Sequence, residues 1–379
     1  MARVLMLGAF GQRNVGDEAL CSALCAALGD HQVVIAGSDP SAIARAHGRA
    51  AIASTPRRVA REIEAADLVV VGGGTVFKSL HPTSGRHPLA LLANTFGLVR
   101  WARHRNTPVA FVGVGADELR GVASRRLARS IVPDASLLVL RDEESAAVLS
   151  SAGVTPPFWI GADPAWHLFR DGRRPRRSRG PRPDRLDRST RPSATVALSH
   201  LAGFDADPAR LGRALAGLAD DGWRIALQPW QDGPGDLDLA ERLRRFVPSA
   251  TVDAAPTDLE SAARRFTEDD LVIAMRFHAV VAAGAAGTRT VAVAHEPKLA
   301  GLARRLDQIA VPPHASDAVL RAALDWACDH PAPADRAVTS EIDRAAHTIR
   351  LMLLLAESGR LDHPDRLPAL ALSDGGGTW

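Results

Sequence analysis

The sequence predicts an α/β protein made of two Rossmann-like halves, each a parallel sheet covered by helices. Short apolar runs alternate with helical stretches along most of the chain, the pattern of repeated strand–helix units. Those runs lack period-two alternation, as strands buried on both faces do. The alternation is interrupted once, by an Arg- and Pro-rich stretch, and then restarts; 379 residues also exceed what one core usually organises.

In the first half, residues 4–7, 33–36, 68–71, 109–114 and 137–140 read as strands. Helices are expected over 17–28, 56–65, 88–104, 122–132 and 143–150. Strands 194–198, 223–227, 271–274 and 290–294 follow in the second half, separated by helices, and a last helix covers 340–357 before a polar tail with three terminal-region glycines. The expected organisation is an N-terminal Rossmann-like domain (1–169), a linker (170–192), a C-terminal Rossmann-like domain (193–330), and a C-terminal helix and tail (331–379). A ligand is expected in the cleft between the two domains.

The formal charge is +3, with 46 basic and 43 acidic residues. Ten arginines and three aspartates fall within residues 170–192, so the remainder carries 36 basic against 40 acidic residues. A folded nucleic-acid-binding face is therefore not expected. The insert reads as a solvated linker, at most an electrostatic tether to an anionic membrane. No apolar run approaches the ~20 residues of a membrane span. Three cysteines, Cys21, Cys25 and Cys328, are too few for a disulfide framework and fit a reducing cytoplasm. Cys21 and Cys25 lack a second ligand pair and read as buried thiols, and no metal is expected.

Several turns at the expected carboxyl ends of strands carry chemistry. The first runs from Gly8 to Glu18, where Asn14 precedes Asp17 and Glu18 in the first helical turn. Its spacing is not that of a dinucleotide fingerprint, and the two acids would repel a pyrophosphate. Gly72, Gly73 and Gly74 follow another strand and permit close approach of backbone or ligand; Lys78 lies just beyond. Arg141 and Arg276 each stand just beyond the end of a strand, where a guanidinium can clamp a carboxylate or phosphate. His278, two residues after Arg276, can act as general acid or base. Lys298, after the strand ending near Ala294, can add positive charge. Asp163-Pro164 closes the first half and reads as a Pro-stiffened turn.

Taken in order, Asn14-Val15-Gly16-Asp17-Glu18-Ala19, the triple glycine, Arg141-Asp142 with Ser145, Asp163-Pro164, Arg276-Phe277-His278 and Glu296-Pro297-Lys298 resemble the polysaccharide pyruvyl transferase family. The resemblance runs from about Arg3 to about Leu306. It implies a GT-B-like arrangement and transfer of the enolpyruvyl moiety of phosphoenolpyruvate onto sugar hydroxyls of a glycan or lipid-linked precursor, forming a pyruvate ketal. It also implies a cytoplasmic enzyme, at the inner face of the membrane if lipid-linked precursors are its acceptors. Arg141 then matches the donor-binding arginine, and Arg276 and His278 match the family's Arg-Leu-His motif, with Phe277 replacing the leucine. Because that middle position is expected to act through backbone, donor binding should survive the change with a reshaped pocket. Phosphoenolpyruvate serves as donor substrate, with no cofactor. Asn14, Asp17, Glu18, Gly72 to Gly74 and Lys78 are acceptor or loop candidates. The competing readings are a GT-B nucleotide-sugar glycosyltransferase and a non-catalytic glycan-binding protein.

Overall fold

The computed structural model describes all residues except 82–84, 156, 177–190, 201–207, 232 and 359–379. The first sheet contains β1 (Arg3–Leu7), β2 (Gln32–Gly37), β3 (Ala50–Ala53), β4 (Leu68–Gly72), β5 (Thr75–Phe77), β6 (Val109–Ala116), β7 (Leu137–Leu140) and β8 (Trp159–Ile160). The second contains β9 (Ser193–Ala197), β10 (Arg224–Gln228), β11 (Thr251–Val252), β12 (Leu271–Ala274), β13 (Arg289–Val293) and β14 (Ile309–Val311). The helices of the first half are α1 (Val15–Leu28), α2 (Pro40–His47), α3 (Pro56–Ala65), α4 (Ala90–His104), α5 (Gly121–Ile131) and α6 (Glu143–Ser151). Those that follow are α7 (Ala209–Asp220), α8 (Pro234–Arg244), α9 (Leu259–Phe266), α10 (Phe277–Ala285), α11 (Pro297–Arg305), α12 (Asp317–Asp329) and α13 (Asp335–Ser358).

Strand order is β3-β2-β1-β4-β6-β7-β8 in the first sheet, with β5 beside β6, and β11-β10-β9-β12-β13-β14 in the second. All pairings between these strands are parallel. Strand order reverses between β1 and β4, and again between β9 and β12, so each sheet has a switch point where loops part and leave a crevice. The elements not anticipated are α2 and the short strands β3, β5, β8, β11 and β14. Most of these strands are two to four residues long and lie at sheet edges; so short a run has no periodicity to detect.

One hydrophobic core joins the two halves. Val15, Ala19, Leu20 and Ala23 of α1 pack with Trp166, Phe169 and residues of α9, α10 and α13. The C-terminal helix therefore does not stand apart. Ile349, Met352 and Leu355 of α13 pack with Val4, Val70 and Val139 of the first sheet. Polar contacts reinforce the seam, where Arg305 of α11 meets Glu143, Glu144 and Glu341. Most of the Arg/Pro-rich insert and the polar tail lie outside the described residues. Arg174, at the insert's start, donates to the Ala285 carbonyl and pairs with Asp335.

Candidate active site at the seam of the two sheets

The loop after β1 is shaped by caps. Asn14 accepts from the Gly16 N–H at 3.0 Å, starting α1, and its backbone forms an isolated antiparallel bridge with Gln231 of the second half. Asp17 follows in the first turn. Burial raises its pKa; His278, Lys298 and Arg141 act against that rise without cancelling it. Glu18 is committed to the loop: it accepts from the Gly11 N–H at 2.7 Å and pairs with His47 at 3.2 Å.

The triple glycine serves packing. A Cβ on Gly72 would fall 2.3 Å from Leu24, and one on Gly73 2.3 Å from Leu20, so the backbone that comes close is met by α1. Gly73 and Gly74 also adopt positive φ, 61° and 69°. This turn delivers Thr75, whose hydroxyl accepts from Arg141 Nη2 at 3.1 Å and from Lys298 Nζ at 3.2 Å. One hydroxyl thus collects a cation from each half of the molecule.

Arg141 is 3% exposed at the carboxyl end of β7. Its Nε donates to Asp142 at 3.1 Å and its Nη1 lies 3.5 Å from Asp163 Oδ2. The guanidinium sits 4.7 Å from the centroid of the Phe277 ring. The side chain of Phe277 therefore takes part through a cation–π contact, contrary to the expectation that this position acts through backbone.

Asp163 is more than the turn residue its Asp163-Pro164 context suggests; it is a junction. Fully buried, it accepts from the Ala165 N–H at 3.0 Å and faces His278 Nε2 at 3.5 Å through Oδ1, while Oδ2 faces Arg141. Burial raises its pKa, but His278 and Arg141 outweigh that cost and hold it below the usual carboxylate range. The other ring nitrogen of His278, Nδ1, lies where a Cβ on Gly16 would come within 2.1 Å.

Lys298 pairs with Glu296. Burial lowers the lysine's pKa, Arg141 lowers it further, and Glu296 offsets part of this. Burial raises the Glu296 carboxyl, but Lys298 prevails and draws it to about 2. Lys78 adds to the same positive field, acting on both.

Arg276 begins a second group, at the switch point of the second sheet. It precedes α10, donates from Nε to the Leu198 carbonyl at 3.1 Å, and pairs with Asp236 at 2.8 Å. Its Nη2 lies 3.5 Å from Gln231, the residue that bridges Asn14. Asp236, 1% exposed, also accepts from the Trp230 N–H and from both the backbone N–H and Nδ1 of His200, the last at 2.7 Å. Burial raises its pKa, and Arg276 and the His200 bonds more than reverse this.

Arg141, Lys298, Phe277, His278, Asp17 and Gly74 thus surround one region of the seam, and Arg276 adjoins it through α10. Thr75, Asp163, His200, Asp236 and Gln231 were not among the candidates. Asp163 stood only as part of the Asp163-Pro164 turn motif, the other four are ordinary polar residues without a motif, and their convergence marks them. Cys21, Cys25 and Cys328 are buried, and among the described residues no cluster could hold a metal ion.

A family model described as polysaccharide pyruvyl transferase matches residues 14–297. No curated protein matches the chain. Among solved structures, the chain resembles an S. aureus MnaA–UDP co-structure at 10% identity and TM-score 0.62, covering 95% of this chain and 98% of that one. HepE from Anabaena in complex with UDP matches at 12% identity and TM-score 0.61 over 94% and 100%. UDP-GlcNAc 2-epimerase from Methanocaldococcus jannaschii matches at 11% identity and TM-score 0.62 over 93% and 100%. At such identities the likeness is one of fold: two parallel-sheet α/β domains in a GT-B-like arrangement.

Proposed function

This chain belongs to the polysaccharide pyruvyl transferase family, and we propose that it transfers the enolpyruvyl moiety of phosphoenolpyruvate to sugar hydroxyls of a glycan or lipid-linked glycan precursor, closing a pyruvate ketal and releasing phosphate. The observation that carries this reading is the meeting of Arg141 and Lys298 on Thr75, from opposite halves of the molecule, beside His278. Phosphoenolpyruvate presents a carboxylate and a phosphate on a three-carbon frame, so it calls for a small site with several cations. Arg141, Arg276 and Lys298 would bind these anions and stabilise charge on the departing phosphate, with Lys78 adding to the field.

Protonation of the donor's methylene carbon makes the adjacent carbon electrophilic. A sugar oxygen then bonds to that carbon, and attack by a second hydroxyl expels phosphate. His278, held against ionised Asp163, is suited to manage a proton on the donor side. Asp17, whose pKa is raised by burial, is a further acidic side chain facing His278, Lys298 and Arg141. Among the described residues no helix is long and apolar enough to cross a membrane, so lipid-linked acceptors would be met at a surface.

The likeness to UDP-bound structures supports a second reading, a nucleotide-sugar enzyme. One experiment separates them: the rise in Tm produced by phosphoenolpyruvate against that produced by a panel of nucleotide sugars. Stabilisation by phosphoenolpyruvate alone is expected, with phosphate release lost in Arg276→Ala and His278→Ala. Stabilisation only by nucleotide sugars overturns the proposal.

A further inference from the structure

We infer that His200, oriented by Asp236, is a second acid–base residue of this enzyme and takes the proton from the attacking acceptor hydroxyl. The inference rests on the pyruvyl-transfer reading and assigns a residue that neither the motif pattern nor the family resemblance singles out.

The geometry comes from a single carboxylate. Asp236 Oδ1 receives His200 Nδ1 at 2.7 Å and the His200 backbone N–H at 2.9 Å. Its Oδ2 receives Arg276 Nη2 at 2.8 Å and the Trp230 N–H at 3.1 Å. With Arg276 and these donors keeping Asp236 ionised, the carboxylate can only accept, so His200 Nδ1 carries the hydrogen. Its Nε2 then holds a lone pair on the side away from Asp236. This is the arrangement in which a carboxylate fixes the tautomer and orientation of a histidine base. The ring is also held from below: a Cβ on Gly235 would fall 2.7 Å from His200 Cγ.

Two comparisons favour His200 for the acceptor side. His278 has Nε2 turned to buried Asp163 and Nδ1 packed against Gly16, and its side chain is 13% exposed. The His200 side chain is 32% exposed, enough to meet a large substrate. His200 also stands beyond the carboxyl end of β9, at the switch point, on the same carboxylate as Arg276. Gln231, which touches Arg276, bridges the first domain's loop at Asn14. A base there lies within one carboxylate's width of Arg276, on the side of the seam where Gln231 meets Asn14.

In the step assigned to it, an acceptor oxygen bonds to the electrophilic carbon of the protonated donor while its hydrogen passes to His200 Nε2. When the second hydroxyl attacks, the carbon–oxygen bond to phosphate breaks and its electron pair leaves with phosphate. Of the two hydroxyl hydrogens released, one makes good the proton placed on the methylene carbon and the other leaves on phosphate, so donor and two hydroxyls yield ketal and hydrogen phosphate without oxidant or reductant.

The test uses the full chain, with phosphoenolpyruvate as donor and polysaccharide extracted from the source organism's envelope as acceptor. Phosphate release is followed from pH 5 to 9 for the unmodified enzyme, His200→Gln and Gly235→Ala. Among the described residues, the charged groups at His200 are Asp236, paired with its ring, and Arg276, on the same carboxylate, and both remain in these variants. His200→Gln is expected to keep the Tm rise given by phosphoenolpyruvate and to lose about 10²-fold or more in kcat. Gly235→Ala, which displaces the ring, should lower kcat in the same direction with KM for phosphoenolpyruvate unchanged. Unaltered kcat in His200→Gln, or loss of donor stabilisation in it, overturns the inference. An unmodified enzyme that phosphoenolpyruvate does not stabilise, or that releases no phosphate, overturns the underlying reading instead.

Discussion

Asp163 stands directly against His278, Oδ1 to Nε2 at 3.5 Å, and turns its other oxygen to Arg141 at the same distance. A buried carboxylate between a histidine of one half and an arginine of the other ties the chemistry to the packing of the two halves. Asp163→Asn keeps the shape and removes the charge. Phosphate release is expected to fall on the order of 10²-fold or more, and Tm to fall as well, because Arg141 and His278 lose a buried partner. Wild-type turnover in this variant would sink the assignment.

Phe277→Leu removes the ring beneath Arg141 and leaves an apolar side chain of similar reach. A cation–π contact of about 1 kcal/mol corresponds to roughly a fivefold change in an equilibrium constant. KM for phosphoenolpyruvate should therefore rise by about that factor while kcat changes little. Steady-state kinetics at saturating acceptor measure the split.

Gly16→Ala separates helix stability from site geometry. Alanine favours the start of α1 by up to about 1 kcal/mol, yet its Cβ would sit 2.1 Å from His278 Nδ1. The ring must move off Asp163, and activity is expected to fall at least tenfold, on the order of one misplaced catalytic group. Gly97→Ala is the control: Gly97 is exposed within α4 and a Cβ there meets nothing within 4 Å. It should raise Tm slightly and leave activity alone. Loss of activity in both variants would show that the effect is not local to His278.

Acidification should weaken the fold through Glu296, Asp163 and Asp236, whose pKa values lie below their ordinary ones. A carboxylate with a depressed folded pKa contributes stability that is fully present above its unfolded pKa, near 4, and is lost as pH falls through its folded value, about 2 for Glu296. Denaturant unfolding between pH 7 and 2 should show this limb. Glu296→Gln should lower stability at pH 7, where Lys298 loses its partner, and reduce the further loss below pH 4. An unchanged acid limb would mean that the Glu296–Lys298 pair carries no such linkage.

Much of the fold was legible in the chain. Strands β7 and β12 and helix α3 have the bounds their apolar runs and turn residues suggest, and the other long elements differ by a few residues at their ends. Arg141 and Arg276 were legible as site candidates because each lies just beyond the end of a strand of a parallel sheet, and such ends form a binding edge wherever the sheet lies. Phe277 was legible as a position but not as a ring under a guanidinium. Glu18 looked available to a ligand and proves to be held by Gly11 and His47.

Local patterns are enough for strand–helix alternation, for the glycines needed after strands, and for the order of basic residues along a binding edge. Each depends on neighbours a few positions apart, and backbone sterics and side-chain periodicity act over that range. Asp163 between Arg141 and His278, Thr75 beneath Arg141 and Lys298, and Asp236 between Arg276 and His200 depend instead on residues 22 to 223 positions apart. These meet because strand order reverses at β1/β4 and β9/β12 and because α1 packs its apolar face onto α9 and α10. No short-range preference encodes that approach; burial of the shared core does.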